Sequence, residues 1–159
     1  MATRSTLHIQ TSDHSGIRWY DLYRHWDGYP ECTGFDLVKH VASVVEQHNQ
    51  SGADMQSENQ HVENLKALLL SQVDKETKYK HYEETTDVAL HGDIEWLYNV
   101  TVNSQTISLE VIKVDGTGFS NMYPLYNRSF SSPAEFKLGF SDFVKRKKHV
   151  WGGVGTLIS

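Results

Sequence analysis

Between residues 94 and 111 apolar side chains fall on alternate positions. Ile94, Trp96, Tyr98, Val100 and Val102 interleave with mostly polar neighbours, and Ile107, Leu109 and Val111 repeat the pattern after Asn103-Ser104-Gln105. Alternation places one set on a single face of a strand, whereas a helix at about 3.6 residues per turn would scatter the same set around its axis. The segment is therefore expected to be a β-hairpin that ends near Asp115-Gly116. It needs other elements to cover its apolar face, because an isolated hairpin is marginal in water.

The opening residues supply a second hairpin. Thr6-Leu7-His8-Ile9-Gln10 alternates, Ser12-Asp13-His14-Ser15-Gly16 carries turn chemistry, and Ile17–Trp26 resumes an extended pattern. On that strand Ile17, Trp19, Tyr23 and His25 share one face, and Tyr20, Leu22 and Trp26 the other. Asp27-Gly28-Tyr29-Pro30 closes it, since Gly permits positive φ and Pro lacks the N–H a ladder needs.

Helices are expected in three places. Phe35, Val38, Val41, Ala42 and Val45 mark a buried stripe over about 34–48, with Thr33-Gly34-Phe35-Asp36 resembling a capping box. Val62, Leu65, Leu69 and Val73 mark another over about 60–73. Ser132-Pro133-Ala134-Glu135 is the strongest local signal, with Ser at the N-cap, Pro at the first helical position and Glu at the third. Phe136, Phe140, Phe143 and Val144 follow on one stripe, and Lys145-Arg146-Lys147-Lys148 lies towards the end, where cations meet the negative pole of the dipole. Residues 74–86 read equally as helix extension or loop, and 117–131 as a loop anchored by Phe119, Tyr123, Tyr126 and Phe130. The expectation is one α+β domain over 1–159, a mixed or antiparallel sheet built from two hairpins with about three helices packed on it, and a flexible tail at 149–159.

Composition narrows the function classes. The chain has 159 residues, 11% aromatic, and a formal net charge of −5. That aromatic content with so modest a charge is unlike a disordered chain. Fifteen basic against 20 acidic residues make specific nucleic-acid binding unexpected. No apolar run approaches the roughly 20 residues of a membrane helix, so no membrane partner is expected. One cysteine, Cys32, forms no internal disulfide, and Met1–Thr6 carries no secretory apolar stretch, so the expected compartment is the cytoplasm. The sequons at Asn49, Asn99 and Asn127 are then chance matches.

The chemistry-bearing residues concentrate in Trp19–Pro30. His25 is a candidate general base, with Asp27 or Asp21 orienting its imidazole and Arg24 facing an anion. The competing reading has Trp26 and Tyr29 plugging the core, Asp27 capping the turn and His25 donating to a backbone carbonyl. No close His-His pair or Cys-x-x-Cys offers a metal site, and His8, His14 or His91 would have to converge on His25 to build one, so no metal and no cofactor are expected. Cys32 ahead of a helix, the glycine clusters 115–118 and 152–155, and the basic run 145–148 beside Trp151 are weaker candidates with ordinary structural readings.

Thr3-Arg4-Ser5-Thr6, His25-Trp26-Asp27-Gly28-Tyr29-Pro30 and Gly34-Phe35-Asp36-Leu37 together resemble the opening of a group of small phage and prophage proteins, over roughly the first 40 residues. The resemblance implies a phage-type accessory protein acting in the host cytoplasm and carries no catalytic residues. The leading expectation is a non-enzymatic binding protein that modulates or inhibits a host or defence component, with Trp19, Tyr23, Trp26 and Tyr29 at its interface. The alternatives are a small hydrolase or nucleotide-processing enzyme using His25, Asp27 and Arg24, and a phage structural or assembly protein.

Overall fold

The computed structural model describes residues 3–13, 16–51, 58–85, 93–102, 106–115 and 121–151. Strands β1 (Ser5–Asp13) and β2 (Gly16–Arg24) form the first hairpin, and β4 (Trp96–Val102) and β5 (Ile107–Asp115) the second. Two further strands, β3 (Glu83–Thr85) and β6 (Asn121–Phe130), extend the sheet to six in the order β3-β2-β1-β4-β5-β6. All neighbours are antiparallel except β1 and β4, which run parallel with Leu7 opposite Tyr98 and Ile9 opposite Val100. The fold is thus α+β with a mixed sheet.

Alternation sorts the sheet into two faces. Leu7, Ile9, Leu22, Trp96, Tyr98, Val100, Leu109 and Val111 point into the core and are essentially inaccessible. Helices α1 (Phe35–Ser51), α2 (Glu58–Leu70) and α3 (Pro133–Trp151) cover that face with Leu37, Val41, Val62, Leu65, Phe136 and Phe140. α2 lies over β1 and β2, α3 over β6, and α1 between the two other helices. Lys66 fastens α2 to the sheet edge, its Nζ 3.8 Å from the Tyr20 ring centre and 3.2 Å from Glu84.

Six expectations need correction. Phe35, expected on the buried stripe of α1, is 37% exposed, because it opens the helix at the rim, where its ring meets Phe140 edge-on. β2 stops at Arg24, and His25-Trp26 bends away, so His25 and Asp27 do not share a strand face. Thr33 does not cap α1: its hydroxyl donates to the Asp27 carbonyl at 2.7 Å, and a π-helical turn, Pro30–Gly34, runs straight into the helix. Val73 is 44% exposed and forms a bridge with Lys80, because the second helix ends at Leu70. Of residues 117–131, read as loop, 121–130 are a strand and 117–120, with Phe119, lie outside the described residues; an edge strand exposed along most of its length has no alternation to read, and Pro124 is tolerated where no outer strand follows. α3 runs to Trp151, so the start of the expected tail is helical, while 152–159 lie outside the described residues.

Candidate functional site

The end of β2 and the turn after it form a corner fixed by hydrogen bonds to its backbone, three of them from side chains. Arg24 Nε donates to the Trp26 carbonyl at 2.8 Å. The Asp27 carbonyl accepts from both the amide and the hydroxyl of Thr33, at 3.2 and 2.7 Å. Gly28 N–H donates to the Thr3 carbonyl at 2.9 Å, and the Gly28 carbonyl accepts from the buried Tyr98 hydroxyl at 2.6 Å. Asp27 itself sits at φ 58°, a left-handed conformation that few non-glycine residues adopt.

This scaffold gathers Arg24, His25, Trp26 and Asp27 around one cavity, but with other partners than the sequence suggests. Arg24 turns inward: its Nη1 lies 3.0 Å from the Tyr82 hydroxyl and 3.9 Å from Asp36, and its guanidinium packs 5.1 Å from the Tyr82 ring centre. His25 Nδ1 meets the Tyr23 hydroxyl at 3.1 Å, and its ring stands edge-on to Trp26 at 4.8 Å. Among the described residues no hydrogen bond or ion pair joins His25 to Asp27; the nearest cation to the Asp27 carboxylate is Arg24, at 4.0 Å. Tyr23 is buried and its phenol pKa is raised, first by burial. Tyr29 is half-buried against the core. Trp26 is 58% exposed, and Trp19, on the far part of β2, is 50% exposed.

The opposite wall comes from residues the sequence left undecided. Asp74 Oδ1 accepts from the amides of Glu76 and Thr77 at 2.8 and 2.9 Å, closing a tight turn, and those amides hold its carboxyl below the ordinary range. The turn lets Val73 bridge Lys80 and leaves Tyr79 at 75% exposure. Between it and the 24–27 turn lies a cavity of about 430 Å³, lined by Arg24, His25, Trp26 and Asp27 on one side and by Asp74, Tyr79 and His81 on the other. The Asp-Lys-Glu-Thr run at 74–77 carried the turn chemistry that could have revealed this wall.

The remaining candidates are placed plainly. Partial burial and the carboxylates of Asp27 and Glu31 push the Cys32 thiol up, the opposite of an activated nucleophile. His8 lies on β1 bonded to Asp21, and His14 and His91 fall outside the described residues. Among the described residues no group of three or more His, Cys, Asp or Glu side chains is disposed to hold a metal ion. Lys145 and Lys147 are exposed on α3, and Arg146 donates to the Asp142 carbonyl of its own helix. Asn99 lies in β4 and Asn127 in β6; the glycine clusters reach beyond the described residues. No helix among the described residues is long and apolar enough to cross a membrane. Comparisons with protein families, curated proteins and solved structures return no match to this chain.

Proposed function

We propose that the chain is a binding protein whose docking surface is the corner between the 24–27 turn and the Val73–Lys80 turn. The observation that carries this reading is Trp26: the residue is 58% exposed while its own carbonyl and the backbone of the next two residues are pinned by five hydrogen bonds. The turn needs those bonds to close, but nothing in its closure needs an indole in water. A large aromatic held rigid before contact loses little entropy on binding, and Trp, Tyr and Arg supply most of the energy at protein interfaces. Tyr79, across the cavity, gives a second exposed ring.

The partner class follows from the resemblance of residues 3–6, 25–30 and 34–37 to small phage and prophage proteins: a host or defence component that this chain modulates or inhibits. His25 lines the same cavity as Asp27 and Asp74, but an acid–base role for it has less support, because its Nδ1 meets a phenol and no carboxylate among the described residues is bonded to its ring. The test is parallel affinity capture from host lysate with the native chain, Trp26→Ala and Tyr79→Ala. A partner retained by the native chain and lost with both variants, at unchanged thermal unfolding, is the expected result. Identical capture profiles for all three would overturn the reading.

A further inference from the structure

The sheet face turned away from the helices holds a second site, independent of the corner. A groove of about 520 Å³ crosses β1, β4, β5 and β6 there. Its floor is organised by two hydrogen-bond chains. In the first, the buried Asp21 carboxylate accepts from His8 Nδ1 at 2.7 Å, His8 Nε2 meets Gln10 Oε1 at 3.2 Å, and Gln10 Nε2 donates to Thr101 at 3.1 Å. Both imidazole nitrogens thus face acceptors, which the doubly protonated ring satisfies. In the second, Asn99 Nδ2 donates to Glu110 Oε1 at 3.1 Å. That bond leaves the Asn99 amide oxygen and the other Glu110 oxygen without a partner among the described residues. Beside the groove, on β2 opposite Gln10, stands Trp19, half-exposed, its ring 5.5 Å from the His8 ring and tilted by 34°.

We infer that this groove binds a neutral polyhydroxylated ligand, a saccharide unit. Charge decides against anions: no lysine or arginine lines the groove among the described residues, and the His8 cation is matched by Asp21, leaving Glu110 as the uncompensated charge. A phosphate or a nucleic-acid backbone would meet repulsion there. Adjacent sugar hydroxyls each donate and accept, which suits planar amide and carboxylate groups held at strand spacing. The C–H face of a pyranose is apolar and flat, which suits an indole standing at the edge of such a row. The internal bonds fix these groups before any ligand arrives, so little ordering cost remains.

The experiment is amide and indole NMR of the ¹⁵N-labelled chain titrated with methyl β-glucoside, N,N′-diacetylchitobiose and maltotriose, with glucose 6-phosphate and adenosine as controls. At least one neutral saccharide should shift the side-chain amides of Gln10 and Asn99 and the Trp19 indole N–H, and glucose 6-phosphate should bind more weakly than the neutral sugars. Glu110→Gln, nearly isosteric, should weaken that saccharide by about tenfold, as should Trp19→Ala, while Trp19→Phe keeps most of the affinity. No shift with any saccharide, binding by adenosine alone, tighter binding of the phosphate ester, or unchanged affinity in both Glu110→Gln and Trp19→Ala would overturn the inference. Trp26→Ala should leave the titration unchanged, which separates this site from the corner.

Discussion

The Tyr82 hydroxyl donates to Asp36 Oδ2 at 2.7 Å, joining the segment before β3 to the first turn of α1. The same phenol oxygen accepts from Arg24 Nη1 at 3.0 Å, and Gln72 donates to the same carboxylate oxygen at 3.1 Å. Asp36 is therefore the node at which the end of β2, the chain after α2 and α1 meet. With Tyr82 fully buried, Tyr82→Phe keeps the packing and deletes only the bridge between two charged groups. Its expected cost is about 2 kcal/mol, read from urea unfolding. A loss well below that would mean that Arg24 and Asp36 close directly on each other from their present 3.9 Å.

Gly28 is the position in the corner that admits no side chain. A Cβ there would lie 2.8 Å from the Thr3 carbonyl oxygen and 2.9 Å from Ser5 Cβ, and neither neighbour is the free end of a flexible side chain. Gly28→Ala should cost about 1–3 kcal/mol through forced backbone movement. Tyr98→Phe, which strands the buried Gly28 carbonyl, should cost a similar amount, about 1–3 kcal/mol. Trp26→Ala, two residues away, should stay within about 0.5 kcal/mol of the native chain. Chemical denaturation of the three variants in parallel checks the contrast between a rigid turn and the ring it displays.

How much of this was legible beforehand depends on whether a feature is local. Trp96–Val102 and Ile107–Val111 announce one buried face by alternation alone, and α1, α2 and α3 announce theirs by stripe. What the chain could not announce was the parallel joining of β1 to β4 or the strand character of β6, since both depend on partners distant in sequence. The same limit governs the corner. Pairing His25 with Asp27 requires that β2 continue, yet Thr3, Thr33 and Tyr98 pull the chain out of extension at that point. Asp21, the carboxylate that does orient an imidazole, serves His8 across the hairpin, a relation set by strand register.

Ser132 illustrates the local case. Its hydroxyl accepts from the Glu135 amide at 3.2 Å, satisfying one of the free donors at the start of α3. Ser132→Ala should cost about 1 kcal/mol, and Ser132→Asp should recover most of it. Thermal unfolding of both variants is sufficient, and equal melting temperatures for Ser132→Ala and the native chain would assign the helix start to Pro133 alone.

The His8–Asp21 pair makes stability depend on pH in a definite direction. The Asp21 hydrogen bond raises the His8 pKa above its ordinary 6.5, against the opposing effect of partial burial, with the Asp21 charge and Gln10 adding to the rise. The folded chain therefore holds this proton more tightly than the unfolded chain. The resulting stabilisation is complete below the unfolded value of 6.5 and is lost as pH climbs from there through the folded-state pKa. Asp21→Asn removes both contributions of the carboxylate, so the His8 pKa should drop and the slope of stability across that window should flatten. Titration of the His8 Cε1 proton by NMR, with urea midpoints on either side of the window, measures both. A native His8 that titrates at or below 6.5 would show that the carboxylate does not hold the imidazole in its charged form.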